Sequence, residues 1–365
     1  MKFNCLQDEF SRFLQVAVRA IATKSTLPIL TGILLETKDN YLRCLATDLE
    51  IAVEVKINNL QIIKPGAVVV SGKTFVEIIR HLPQTTVDVE LDENSKMLQI
   101  TSQHASYQIP TLPVEEFPAL PELAENEAIE VNGDSLKEAI RQTIYATLAD
   151  DPRPFLSSIL WEISPNQLRM VATDVNRIAV KDLPVKGGSQ GTALVPVRSL
   201  REMAAIFGGF EDEGLQIYFN EKLIFVVGKG ITFSSRLIEA QFPRYEQVIP
   251  KDYLGSFVVN RSEFIQALER TSLVSTSVKI QVQEPNLIMT SKEPDRGRSY
   301  EEVKIDFSGK ELEIGFNARF LLDFLKATGA ERITGKYVQE QKPVLLQGEG
   351  EDGYMYVVAP LKLTV

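Results

Sequence analysis

A chain of 365 residues is longer than one hydrophobic core serves, so two or three domains are expected. With 44% hydrophobic and 24% charged residues and no low-complexity tract, its composition is that of a folded globular protein and excludes a disordered one. A formal charge of −10 argues against a general nucleic-acid binder, whose footprint is positive, unless the charge is unevenly spread.

The start, Met1-Lys2-Phe3-Asn4, has neither the basic segment nor the apolar run of a signal peptide. No apolar stretch approaches the roughly 18 residues of a membrane span, so a cytoplasmic location is expected. Phe10, Phe13, Leu14, Ala17 and Ile21 recur at helical spacing and predict one narrow apolar face within residues 7–24. Two runs of strand formers follow, with turn residues Asp39-Asn40 between them, and Thr47-Asp48 marks a second turn. A second helix is expected from Lys73 to Leu82, with Phe75, Ile78 and Ile79 inward. Phe117-Pro118-Ala119-Leu120-Pro121 and the acidic run through Glu122, Glu125, Glu127 and Glu130 read as a linker.

The same order then begins again. At an offset of 126, Ile33-Leu34-Leu35-Glu36 falls on Ile159-Leu160-Trp161-Glu162, Asn40-Tyr41-Leu42-Arg43 on Asn166-Gln167-Leu168-Arg169, and Ala46-Thr47-Asp48 on Ala172-Thr173-Asp174. With one residue inserted, Ile51-Ala52-Val53 falls on Ile178-Ala179-Val180. Helices are expected around Leu136, Ile140 and Ile144, and from Arg198 to Phe207 with Leu200 and Met203 inward. Phe242-Pro243-Arg244-Tyr245, leading to Pro250, forms the next linker. A third copy keeps the pattern without the identities: Phe264, Ile265 and Leu268, then Val278 to Val282, Leu287 to Thr290, and a helix from Ala318 to Ala327 bearing Phe320, Leu321 and Phe324. The fold expected is α+β, three tandem units of two helices packed on antiparallel sheets, at 1–124, 125–252 and 253–365.

Catalytic constellations are missing from this pattern. Neither His81 nor His104 has companions at metal-ligand spacing, and no cofactor or metal is expected. Gly72-Lys73-Thr74 resembles the tail of a P-loop, but the motif's first glycine would fall at Ala67. Asp150-Asp151 lacks a third carboxylate, and Glu211-Asp212-Glu213 reads as a solvated turn. Asp48 and Asp174 sit at equivalent repeat positions, which a turn role explains at once. Cys5 and Cys44 lie in apolar strands and read as buried free thiols. A non-enzymatic scaffold or binding protein is therefore expected. The charge is uneven: the six helix segments hold thirteen basic against nine acidic residues, a net of +4, leaving −14 for the remainder. A mildly positive helix surface suits a phosphate backbone without holding it tightly.

Several segments together resemble the bacterial DNA sliding clamps, the β subunit of the replicative DNA polymerase III holoenzyme. They are Thr26-Leu27-Pro28-Ile29-Leu30, Tyr107 to Pro118, Val171 to Val180, Gln241 to Pro250 and Tyr356-Val357-Val358-Ala359-Pro360-Leu361. The resemblance implies a head-to-tail homodimeric ring with sheets outside and helices lining a hole for double-stranded DNA, bound without regard to sequence. It implies DNA contacts by Lys24, Lys73, Arg80, Lys137, Arg141, Arg198, Arg201, Arg319 and Lys326, and a dimer interface at Tyr107, Ile109, Leu273 and Val274. It further implies a pocket for short linear peptides from the polymerase α subunit, the clamp loader, other polymerases and repair factors. Carried over by position, its lining is Leu156, Thr173, Val175, Arg177, Ile178, Pro243, Val248, Pro343, Val357, Ala359, Pro360 and Leu361, and Leu361→Asp is expected to abolish partner binding. Gln247 stands where relatives carry a basic residue, Val175-Asn176 replaces a Gly-His pair, and Thr364-Val365 extends the usual terminus; these departures bear on peptide preference. A DNA-independent adaptor built of repeats would share the pocket but lack ring closure. An enzyme acting on nucleotides would need the carboxylates set aside above.

Overall fold

The computed structural model describes residues 1–123, 127–149, 151–188, 190–208 and 214–362. Glu125, Asp150, Glu211-Asp212-Glu213 and Thr364-Val365 lie outside the described residues. Six α-helices stand among the described residues: α1 Gln7–Ala17, α2 Gly72–His81, α3 Gly133–Ile144, α4 Val197–Phe207, α5 Arg261–Ser272 and α6 Ala318–Ala327. Local chemistry sets their ends. The Asn260 side chain accepts from Glu263 N at 3.1 Å to start α5, and Asn317 accepts from Arg319 N at 3.0 Å to start α6. Asp8 and Glu9 sit in the first turn of α1, where the helix dipole favours negative charge. That helix is shorter than its apolar pattern suggests; beyond Ala17 the chain tightens into one 3₁₀ turn at Val18–Ala20.

By packing, the chain divides into two compact units, Met1–Gly133 with Arg201–Leu237, and Asp134–Leu200 with Ile238–Val365. In the first, an antiparallel ladder runs through strands Gly214–Phe219, Leu223–Gly228, Ile231–Arg236, Ile51–Ile57, Tyr41–Thr47, Gly32–Lys38 and Ala67–Ser71. Ala105–Leu112 continues it towards Met97–Ser102, Thr86–Asp92, Lys2–Leu6 and Leu60–Lys64. Among the described residues the second unit carries a sheet of twelve antiparallel strands, in which Arg177–Pro184 pairs with Tyr354–Val358. The middle third of the chain is thus shared, its later strands joining the sheet of the first third and its earlier strands that of the last. Helices cover these sheets with apolar faces. Phe3, Phe10 and Phe75 meet edge to face at centroid distances of 5.9 and 5.7 Å, and α1 and α2 close over them.

Both expected hairpins form, with Lys38 opposite Tyr41 across Asp39-Asn40 and Ser164 opposite Gln167 across Pro165-Asn166. The following turns are near duplicates. Thr47 Oγ1 donates to Ile51 O at 2.8 Å while Asp48 accepts from Glu50 N and Ile51 N at 3.0 and 2.9 Å. Likewise Thr173 Oγ1 donates to Arg177 O at 2.8 Å while Asp174 accepts from Asn176 N and Arg177 N at 3.0 and 3.1 Å. Thr47 pairs with Ala52 and Thr173 with Ile178, so the offset of 126 continues through the turn with no insertion. The alignment of Ile51-Ala52-Val53 on Ile178-Ala179-Val180 is corrected accordingly: it follows residue identity, but a one-residue slip would turn every strand side chain to the opposite face. Arg177, not Ile178, holds the place of Ile51.

Both cysteines are free and buried, and burial pushes the Cys5 thiol up to about 12 and Cys44 up as well. A raised thiol pKa favours the fold below the ordinary value of 9.0, and the contribution declines as pH rises from there towards 12. Neither thiol is expected to react with Ellman's reagent in native protein at pH 8, and both should react in denaturant. Rapid native labelling would contradict this burial.

Candidate functional site

The turn after Thr173 lies at an open cavity of about 340 Å³ within the second unit. Nine of the twelve positions expected by resemblance line it. Thr173, Val175, Arg177 and Ile178 come from the turn, Pro243 and Val248 from the loop beyond Ile238, and Pro343, Val357 and Ala359 from the last strands. Beneath them lies a core cluster that includes Leu160, Val171, Val180, Tyr245 and Leu345. Ala359 N donates to Asn176 O at 2.8 Å, fixing the final strand against the turn. The arrangement offers an apolar floor with a polar rim, which suits a short peptide with apolar anchors.

Three expected positions lie elsewhere. Leu156 is 0% exposed and belongs to the core; Phe155 beside it lines the cavity instead, in edge-to-face contact with Phe242 at 6.2 Å. The repeat holds the signal for this. Pro154-Phe155-Leu156 stands 126 residues after Pro28-Ile29-Leu30, both begin 3₁₀ turns, and Leu30 is buried. Pro360 and Leu361 are outside the lining because the chain leaves the cavity after Ala359, and Leu361 N donates to Gly315 O at 2.8 Å. Arg153, Asn176, Arg244 and Tyr245 line the cavity without having been expected there. Arg153 forms a two-pronged pair with Asp151 at 2.8 and 2.9 Å, which holds that carboxyl down at about 2. Tyr245 is anchored by its hydroxyl, which donates to Glu162 at 2.7 Å.

Arg177 reaches from the cavity wall into the protein and is only 6% exposed. Its guanidinium donates to Asp174 Oδ2 at 2.8 Å, to Asp323 Oδ2 on α6 at 2.6 Å and to the Tyr145 carbonyl at 2.6 Å. It also lies over the Phe320 and Tyr145 rings at 4.4 and 5.4 Å. Around it, Phe324 stacks on Tyr356 at 5.1 Å, and the hydroxyls of Tyr145 and Tyr354 share a hydrogen bond of 2.8 Å. Burial raises the Tyr145 phenol well above its ordinary value, so the pair stays neutral. One side chain thus joins the cavity wall to α6 and to Tyr145 just beyond α3.

All nine basic residues named for DNA are exposed. Ion pairs engage several of them, among them Arg80 with Glu77 at 2.7 Å, Lys326 with Glu269 at 2.7 Å, and Arg141 with Glu138 at 2.5 Å. Arg141 also donates to the carbonyls of Lys326 and Ala327 at 3.2 and 2.5 Å, closing the C-terminus of α6. Of the four interface positions, Leu273 is 75% exposed and Tyr107 is also exposed, Val274 is half-buried and Ile109 is buried. Residues 105–110 pair only with Met97–Ser102, and within Gly297–Gly309 residues 297–304 pair only with Asn286–Glu293, so each has one open edge among the described residues. No group of three or more metal-ligating side chains occurs among the described residues, His81 and His104 are both exposed, and the Asp48 and Asp174 carboxylates are taken up by their turns. Among the described residues no helix is long and apolar enough to cross a membrane.

Repeated pairs of helices on antiparallel sheets, with exposed basic helix residues and an apolar pocket, define a DNA-clamp protein. Residues 1–121, 130–244 and 246–362 match in turn the N-terminal, central and C-terminal domains of the DNA polymerase III beta subunit. The chain is 31% identical to the beta sliding clamp of Staphylococcus epidermidis, with 99% of each covered. Among solved structures it is similar to the Bacillus subtilis DNA polymerase sliding clamp (TM-score 0.95, 28% identity) and the Thermotoga maritima DNA polymerase III beta subunit (TM-score 0.93, 29% identity), each covering 100% of both chains. The chain belongs to the bacterial β sliding clamp family: three tandem clamp domains forming a non-catalytic processivity factor that works with DNA and polymerase.

Proposed function

We propose that two copies of this chain close head to tail into a ring around duplex DNA in the cytoplasm, with the domain boundaries near 124 and 252. The observation that carries this reading is the pair of open strand edges in the first and last thirds of one chain. An unpaired edge invites another strand, and two different edges per chain suit a heterologous contact, which closes after two copies. Tyr107, Ile109, Leu273 and Val274 lie at or near these edges, and Tyr300 adds a further exposed aromatic on the second edge. In such a ring the exposed basic helix residues meet phosphates of any sequence, while topology keeps the ring on the DNA. Ion pairs such as Arg80 with Glu77 are exposed and therefore weak, so phosphates can exchange with them. The pocket then recruits the polymerase α subunit, the clamp loader, other polymerases and repair factors through short peptides.

Light scattering is expected to give twice the mass of one chain. Protein loaded on nicked circular DNA should stay bound at raised salt and fall off once the circle is cut. Equal loss from circles and linear DNA would remove the ring and leave a repeat adaptor.

A further inference from the structure

Val175 has φ +79°, in the left-handed region, and is a β-branched residue. Side chains crowd the backbone there, most of all branched ones, and glycine or asparagine is the usual occupant. The turn itself demands the conformation, because Leu49 at the matching place in the first copy has φ +78°. Val175 N donates to Thr173 Oγ1 at 3.1 Å, as Leu49 N does to Thr47 Oγ1 at 3.0 Å, so the turn holds the backbone in place while the residue stays 61% exposed at the cavity mouth. A valine in a glycine's backbone geometry strains the fold, and its exposed methyl groups recover little of that by burial. The hydrogen bond from Val175 N fixes this conformation but needs no valine side chain to form.

We propose that Val175 determines which peptides this pocket accepts, by presenting its two methyl groups to an aliphatic anchor side chain. The proposal rests on the peptide-pocket reading above and adds to it the residue that selects the anchor. With Val248 and Pro243 it walls the cavity, and an aliphatic anchor packed among them covers all three from water. Strain in the free protein is then retained because the bound state uses the side chain that causes it.

The test compares Val175→Gly, Val175→Asn and Leu49→Gly in the full-length protein. Each is expected to raise the melting temperature, by about 2 °C. A fluorescein-labelled polymerase tail peptide with a leucine anchor should bind Val175→Gly and Val175→Asn about tenfold more weakly than the parent, and Leu49→Gly as tightly. The same peptide with the leucine replaced by alanine should bind parent and Val175→Gly alike. Equal affinity of parent and Val175→Gly for the leucine peptide overturns the proposal. Absence of binding to the parent itself overturns the pocket reading instead.

Discussion

Arg177→Ala is expected to destabilise the second packing unit by about 3–5 kcal/mol, the cost of leaving the buried Asp174 carboxylate without its cation. Asp174, 4% exposed, is more buried than the arginine, and half-buried Asp323 receives its hydrogen bond at 2.6 Å. The alanine also leaves the Tyr145 carbonyl without its donor and opens space between the Phe320 and Tyr145 rings. Trp161, the chain's one tryptophan, is fully buried in the same unit and reports its unfolding by fluorescence. The urea midpoint of that signal should fall by about 1–2 M. Arg177→Lys keeps the charge but cannot reach three acceptors in one plane, so it should recover little. Arg177→Ile with Asp323→Leu should recover part of the loss, because Ile51 fills the same place in the first copy, while Asp174 keeps only its backbone donors at residues 176 and 177. A loss below about 1 kcal/mol for the alanine variant would mean the network is incidental.

Val248→Asp is expected to weaken a polymerase tail peptide about a hundredfold, since an apolar anchor would then have to desolvate a carboxylate. Val248 is 47% exposed, so the substitution disturbs no core and the melting temperature should hold. Retention on circular DNA should also hold, because the open strand edges are made of other residues. Leu361→Asp should have the smaller effect, as Leu361 is tied to Gly315 and does not line the cavity. Fluorescence anisotropy showing Val248→Asp equal to the parent would place the peptide elsewhere.

Periodic features were legible in the chain. The helix from Ala318 to Ala327 and both hairpins follow from apolar spacing and turn residues, which act within a few positions. The alignment failed where identity and hydrogen bonding disagree: Ile51 resembles Ile178, yet the Thr-Asp turn fixes register through backbone groups that any residue supplies. Arg177 was legible as a pocket residue but not as a partner of Asp323, which lies 146 positions away and meets it only through tertiary packing. Leu156 was misplaced by counting from a family pattern, although its own repeat partner Leu30 marks it as core. The basic residues were legible as charges, whereas the use of Arg141 to close α6 depends on a neighbour beyond local sequence.

The shared middle third has a consequence for truncation. Strand Ile231–Arg236 is hydrogen-bonded to Ile51–Ile57, and Arg177–Pro184 to Tyr354–Val358, so deleting either outer third would bare a long apolar strand. Such an edge recruits whatever strand is nearest, including another copy of itself. A chain cut back to two of its copies is therefore expected to aggregate, because the copies are joined by main-chain hydrogen bonds that no change of side chain removes.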